Sequence, residues 1–562
     1  MVVSCLVEML ASDRVAFECD GTPVDVTVPP GASLLDVLRE ELGIRSVKDG
    51  CAPQGQCGCC TVLVDGAPRV ACVTPAARVG GRSVTTVDGL APELRDRLAA
   101  AFLACGGSQC GFCTPGIVVR AAWLLERDEV RDVDVDRMLA AHLCRCTGWN
   151  TVREAIHAAA AGTEAAPARD LDTAARRAAL EGGVDQRVAA DVPLGAGGFA
   201  DDTAPAAAAV AVPDAAGGWV VAPSLAEARA RAGKVQGRRT TAASRPPLAL
   251  PPCPPGGVRL ATSWVEPAYL EPDASWCEPG GAPASPVANG GAFGGKLHSI
   301  APHVARELAD HHSRPVRVVL AREDVVRLGP KRPPIAAASV VRDGVVHIEG
   351  SVVGDVVPEL AGALPYELEV DADWRRVQVA GPPTSPELRA WPLAELTVLV
   401  EGALAAAGVD RAALVRDDRT GAVLLDASAA DPRDGAVAGA RVVVRPGGRG
   451  VERVEVRVAA GDPLDDVVLR SYCIGAAHMA LGWVLSEGIA VDPETGEVLD
   501  LTIRSFGILR AQDTPPIEVT VIDDPGPPRA HASDAVFAAA AAATWNAITA
   551  ATGTRPETFP CS

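Results

Sequence analysis

At 562 residues the chain exceeds what one hydrophobic core usually supports, so about three or four domains are expected. Its 71 Asp and Glu against 52 Lys and Arg leave a net charge of -19, which argues against a phosphate-backbone partner and hence against nucleic acid. Hydrophobic residues reach 48%, yet the longest uncharged stretch, from Ala535, is Ala-rich and broken by Thr544, Asn546 and Thr549, so no membrane span is expected.

The first residues, Met1-Val-Val-Ser-Cys-Leu-Val-Glu-Met-Leu10, have neither a basic leader nor a small-residue cleavage site, which makes the cytoplasm the expected compartment. In that setting 16 cysteines read as metal ligands before disulfides, because eight fall in tight groupings and Cys72 is placed to join them.

Residues 1 to 82 have the alternation and turns of a small sheet domain. Val15 to Asp20 and Val24 to Val28 flank Gly21 as a hairpin. Ser33-Leu-Leu-Asp36 is a capping-box-like start for one helix ending at Gly43. Thr61-Val-Leu-Val64 and Arg69 to Cys72 give further strand around Asp65-Gly66. Within this unit Cys51, Cys57, Cys60 and Cys72 approximate the plant-type C-x4-C-x2-C…C arrangement around a [2Fe-2S] cluster. The first gap holds five residues where four are usual, and Cys59 adjoins Cys60, so the third ligand is a choice. Cys60 is preferred, because it keeps the two-residue gap from Cys57 and leads into the strand. A zinc knuckle is the alternative for such a set.

From residue 85 to 163 the pattern turns helical. Glu93 to Leu103 is helical by composition, Thr114 is read as the cap of a helix with Pro115 at its first position, Asp134 starts a third helix towards Leu143, and Thr151-Val-Arg-Glu154 reads as a capping box for a fourth ending near Gly162. This four-helix unit places Cys110 and Cys113 just before one helix and Cys144 and Cys146 between two others. Exposed N–H groups at helix starts stabilise thiolate charge, which suits a second [2Fe-2S] cluster.

Gly50 to Val62, Gln109-Cys-Gly-Phe-Cys-Thr-Pro-Gly-Ile117 and Leu143-Cys-Arg-Cys-Thr-Gly-Trp149 together resemble the iron-sulfur part of the molybdenum hydroxylases of xanthine dehydrogenase and aldehyde oxidoreductase type. The resemblance implies that the Cys110 set holds the cluster nearer a molybdopterin and that Gln109 contacts this cofactor. The plainer reading of Gln109 is a polar loop residue.

Residues 164 to 200, rich in Ala, Arg, Asp and Gly, read as a linker crossing a surface. Up to about residue 260 there is no room or motif for a flavin domain, so electrons are expected to leave to an external acceptor such as a separate flavin subunit, with homo- or hetero-oligomers both open. Further on, Trp264 to Asp273, Asn289-Gly-Gly-Ala-Phe-Gly-Gly-Lys296, Pro315 to Glu323 and Lys331-Arg-Pro333 follow the order of the family's molybdenum-binding subunit. Gly290, Gly291, Phe293, Gly294 and Gly295 are the expected cofactor contacts, a ligand-free tight turn being the alternative. Gly475-Ala-Ala-His-Met-Ala-Leu-Gly482 and Ser486-Glu-Gly488 resemble the closing region, with its Gly-rich cofactor-binding turns.

The expected fold is thus α+β and multidomain: a β-grasp plant-type ferredoxin domain at 1–82, a helical [2Fe-2S] domain at 85–163, a linker at 164–200 and a reduced α/β molybdopterin-binding region at 201–562. Two departures from the family bear on function. Only eight residues separate Gly280 from Asn289, and 341–450 matches poorly, so pocket-forming segments are missing. Where the family has a glutamate as general base, this chain reads Gly526-Pro-Pro-Arg-Ala-His531-Ala-Ser-Asp534. Asp534 falls in the glutamate's slot and His531 lies nearby; the bland reading is that Asp534 caps the next helix and His531 is exposed. Two functions stay open: hydroxylation of an aldehyde or N-heterocycle at a molybdopterin centre, with electrons leaving through both clusters, or a non-catalytic electron-transfer or scaffolding subunit with a degenerate molybdenum domain.

Overall fold

The computed structural model describes residues 13–126, 130–162, 169–234, 237–359, 364–448 and 450–561. The reading of Met1 to Leu10 and the first linker residues, 164–168, lie outside them.

Strands β1 (Asp13–Cys19) and β2 (Thr22–Val28) pair antiparallel around Asp20 and Gly21, both at positive φ as a tight hairpin requires. With β3 (Thr61–Val64), β4 (Ala67–Val70) and β5 (Ser83–Thr85) they form a mixed sheet in the order β2-β1-β5-β3-β4. Val15, Phe17 and Cys19 alternate into its core. Ser33 and Asp36 do form the capping box. The helix they start is one α turn, Leu34–Asp36, which widens into a π turn, Val37–Glu41. The wider turn accompanies burial of Arg39, whose guanidinium bonds Val47 O and the carboxylates of Asp201 and Asp202.

Four helices follow: Pro92–Cys105, Thr114–Leu125, Asp132–Leu139 and Asn150–Ala161. Three starts differ from expectation. Thr114 is the first helical residue and Cys113 is the N-cap, which brings the sulfur to the helix terminus itself. The third helix begins at Asp132 and stops at Leu139, freeing Ala140 to Leu143 to approach the cysteine loop. The fourth has no capping box: Trp149 occupies the N-cap in left-handed conformation, and the Thr151 hydroxyl is buried without a partner among the described residues.

The expected surface linker contains a docked helix, Leu171–Gly182. Its Ala174 and Ala178 pack on Val468 and Tyr472, and fully buried Arg177 pairs with Glu181. Alanine lets two helix backbones approach closely while contributing little to an apolar pattern, which is why the sequence read as loop.

The remainder builds three sheets. β6 (Ala209–Pro213), β7 (Trp219–Ala222), β9 (Asp273–Cys277) and β10 (Val316–Leu320) run in the order β7-β6-β10-β9, and β8 (Val258–Thr262), β11 (Ile335–Arg342), β12 (Val345–Val353), β13 (Glu369–Val377) and β18 (Thr558–Phe559) in the order β13-β12-β11-β8-β18. β14 (Ala427–Ala430), β15 (Val437–Val444), β16 (Val451–Ala459) and β17 (Ile517–Val521) pair in sequence order. Three apolar helices fill the core: Leu393–Ala407, which the sequence reading did not anticipate, Asp466–Leu485 and Ala532–Thr552. The last two are long and apolar enough to cross a membrane, but most of each is buried inside the protein. Gly475 and Gly482 lie within the Asp466–Leu485 helix and not in turns. A Cβ at Gly475 would stand 1.8 Å from Cys146 O, so the missing side chain is what lets the helix touch a cysteine loop.

Candidate functional site: two sulfur nests and an adjoining cavity

The first nest forms where the loop after Gly50 wraps back on itself. Gln56 N–H and Cys57 N–H both donate to Cys51 Sγ at 3.3 Å, and Cys72 N–H donates to Cys60 Sγ at 3.4 Å. Cys51, Cys57, Cys60 and Cys72 are each at most 4% exposed. Thiol pairs link Cys51 with Cys57 and with Cys72, and Cys72 with Cys60. Those hydrogen bonds lower Cys51, the acceptor, and raise its partners Cys57 and Cys72. Cys59 pairs with Cys57, and its sulfur lies 3.9 Å from the Cys57 carbonyl oxygen. The four-sulfur set with backbone N–H groups directed at it fits a [2Fe-2S] cluster.

In the second nest Cys110 and Cys146 sulfurs lie 3.7 Å apart, and Cys113 pairs with Cys144. A bond from Cys113 and one from Thr147 bring Cys144 down to about 6 against the opposing effect of burial. The Thr114–Leu125 helix starts immediately after Cys113, which brings its first N–H groups to the nest; Cys113 and Cys146 are themselves raised through their bonds to Cys144 and Cys110 and by burial. No disulfide joins any of the described cysteines.

A cavity of about 200 Å³ opens directly beside this nest. One wall is Gln109, Cys110 and Cys146; another is Gly290, Gly291, Phe293 and Gly294; Asp534 and His531 close the far side with Arg389 and Arg433. Sequence candidates separated by more than 400 residues thus meet in one place. Gly295 does not reach it, since its α-carbon packs on Pro267 and Tyr269. Gln109 Nε2 donates to Cys146 O and Ser471 Oγ, both at 3.0 Å, which leaves its carbonyl oxygen to accept from a guest. Asn289 Nδ2 donates to Cys110 O at 2.6 Å and ties the glycine loop to the nest. Phe293, at φ 56, turns its ring under Arg389, 5.2 Å from the guanidinium carbon.

Asp534 does not cap its helix, and His531 is not exposed. His531 is the N-cap residue and is partly buried; Asp534 sits in the first turn, 9% exposed, paired with Arg433 and 3.6 Å from Arg389 Nε. His531 Nδ1 lies 3.1 Å from Asp434 Oδ2, which also accepts from the His531 N–H at 3.0 Å. Burial opposes both charges, yet the contact with His531 holds Asp434 down at about 2, and His531 is raised in turn. Arg389, Arg433 and Asp434 were missed by the sequence reading. They come from a Pro-rich loop and from the Asp431-Pro-Arg-Asp-Gly435 turn, where no periodicity marks them; the Asp-Gly pair signals only a turn.

For a cofactor, the cavity offers Gln109, the glycine loop and an orphan donor: Arg389 Nη2 is buried and has no partner among the described residues. A polar guest would satisfy it.

A protein with two four-cysteine nests beside a cavity lined by both apolar and charged side chains is an iron-sulfur oxidoreductase in outline. Residues 17–77 match the 2Fe-2S iron-sulfur cluster binding domain, and 86–157 the [2Fe-2S] binding domain. A probable xanthine dehydrogenase subunit of Bacillus subtilis (strain 168) is 40% identical over 134 residues, 24% of this chain and 77% of that protein. The nicotinate dehydrogenase small FeS subunit of Eubacterium barkeri is 35% identical over 139 residues, 24% of this chain and 88% of that protein. Aldehyde oxidoreductase from Desulfovibrio gigas has a similar fold, with a TM-score of 0.73 at 16% identity, over 98% of this chain and 99% of that one. The chain belongs to the molybdenum hydroxylase family of xanthine dehydrogenase and aldehyde oxidoreductase type, and contains that family's two [2Fe-2S] electron-transfer domains.

Proposed function

We propose that Cys51, Cys57, Cys60 and Cys72 hold one [2Fe-2S] cluster and Cys110, Cys113, Cys144 and Cys146 the other, in domains spanning 1–82 and 85–163. The region 201–562 then houses a molybdopterin in the cavity, where an aldehyde or N-heterocycle is hydroxylated and its electrons leave through both clusters. The observation behind this reading is the shared cavity: cluster cysteines form one wall and a carboxylate, Asp534, another. The substrate classes follow the names of the relatives, an aldehyde oxidoreductase and a nicotinate dehydrogenase.

When bound, molybdopterin supplies the two-electron oxidation chemistry. The chain's part is to position and to handle protons. Gln109 and Arg389 orient the guest, Gly290, Gly291 and Gly294 give it room, Phe293 shapes the wall, and Asp534, with His531 beside it, is the candidate proton acceptor. Relatives named as subunits support a hetero-oligomer; a separate flavin subunit as electron acceptor and the cytoplasm as compartment are further parts of the proposal.

One observation favours the second reading, an electron-transfer or scaffolding subunit. Asp534 is paired with Arg433 through one carboxylate oxygen and lies 3.6 Å from Arg389 Nε through the other, so both oxygens already have a guanidinium partner. Anaerobic mixing with a panel of aldehydes and N-heterocycles separates the two. Bleaching of the visible cluster absorption by a panel member supports the hydroxylase; clusters that dithionite reduces and no panel member does support the subunit.

A further inference from the structure

His142 lies two residues before Cys144, is fully buried, and has no hydrogen-bond partner at either ring nitrogen among the described residues. Its own N–H is engaged with Leu139 O at 2.8 Å, so the ring alone is unsatisfied. That ring rests on Gly58. A Cβ at Gly58 would stand 2.6 Å from His142 Nδ1 and 2.6 Å from Ala141 O. Gly58 separates Cys57 from Cys59, and the next residue, Leu143, donates its N–H to Cys57 O at 2.9 Å. The imidazole is therefore held against the loop of the first nest.

A neutral imidazole offers one N–H. The Cys57 carbonyl already accepts from Leu143, and Arg120, the charged neighbour from the Thr114–Leu125 helix, is a donor only. In the structure the ring bonds neither Ala141 O nor a cysteine sulfur, so the acceptor that a cluster bound in this loop would add beside Gly58 is a sulfide.

We propose that His142 donates an N–H···S hydrogen bond to the cluster held by Cys51, Cys57, Cys60 and Cys72, and thereby raises its reduction potential relative to the other cluster. The proposal rests on the two-cluster reading above. Reduction adds negative charge to the cluster, and a fixed N–H dipole aimed at a sulfur stabilises the reduced form more than the oxidised one. The consequence is a direction of flow: an electron entering at the Cys110 set is drawn on to the Cys51 set.

The test is an EPR-monitored redox titration of the purified full chain, with signals assigned by the Cys72→Ser variant and iron measured on every sample. His142→Phe is expected to lower the reduction equilibrium constant of the Cys72-dependent cluster at least tenfold, about 59 mV for one electron, and to leave the other cluster in place. His142→Asn, which retains an N–H donor, is expected to recover part of the shift. Unchanged potentials in His142→Phe, or a shift confined to the other cluster, would overturn the proposal. A measurement without substitution stands beside it: nitrogen coupling from 15N-labelled histidine on the Cys72-dependent EPR signal is expected, and its absence would also overturn the proposal. Wild-type protein with only two irons per chain would show that the two-cluster reading itself has failed.

Discussion

Arg145 and Glu487 form a buried, two-pronged ion pair between residues 342 positions apart in sequence. Arg145 Nη2 donates to Glu487 Oε2 at 2.8 Å and Nη1 to Oε1, while Nε donates to Pro267 O at 2.9 Å. Arg145 stands between Cys144 and Cys146, and Glu487 follows the Asp466–Leu485 helix, so the pair fastens the second nest to the C-terminal half. Removing one partner leaves an uncompensated buried charge. Glu487→Gln is expected to destabilise the chain by about 3–5 kcal/mol, and Arg145→Met with Glu487→Leu by less than Glu487→Gln alone. Denaturant unfolding followed with iron retention measures both.

The two adjacent cysteines of the first nest differ in what they face. Cys60 accepts from Cys72 N–H, whereas Cys59 turns back on Cys57, whose carbonyl oxygen lies 3.9 Å from its sulfur. Cys59→Ala is expected to keep about four irons per chain and Cys60→Ala about two, since each cluster contributes two. Iron analysis with EPR of the reduced protein decides; the opposite pattern would make Cys59 the ligand.

Gly475 tests the seam between the second nest and the core. In most helix interiors Gly to Ala stabilises by up to about 1 kcal/mol. Here the added methyl would meet Cys146 O at 1.8 Å, so Gly475→Ala is expected to lower the melting temperature and weaken the EPR signal of the Cys110 set. Gly421→Ala, in the Asp418–Val423 helix with Val415 Cγ1 at an ordinary 3.7 Å from the added methyl, controls for general effects.

The Asp434–His531 pair predicts a pH dependence. Asp434 is depressed from 3.8 to about 2, so its contribution is present above 3.8 and disappears as pH falls through 2. His531 is raised above 6.5, so its contribution is complete below 6.5 and disappears as pH rises through the folded value. The stability difference between wild type and His531→Gln should be largest between 3.8 and 6.5 and shrink on the alkaline side. Melting temperatures across pH 4–9 check this, and a pH-independent difference would contradict it.

The cysteine sets were legible because ligand spacing is local: Cys110 and Cys113 precede one helix, and Cys144 and Cys146 lie between two others. The β1–β2 hairpin was legible from Asp20-Gly21 for the same reason. The Leu171–Gly182 helix was not, because its buried stripe is alanine and a buried arginine, which resemble an exposed face until the partner helix is in view. Arg389 and Arg433 reach the cavity from turns whose direction depends on tertiary packing. Asp534 reached it because the long apolar helix beginning at Ala532 gave a reliable frame from which to count. Its clamping by two arginines had no local signal.

The central claim is that the cavity beside Cys110 and Cys146 feeds two clusters in series from a molybdopterin. Metal analysis of the purified chain tests it most directly. About four irons and one molybdenum per chain are predicted; four irons with no molybdenum, in protein made by cells that supply the cofactor, would contradict it.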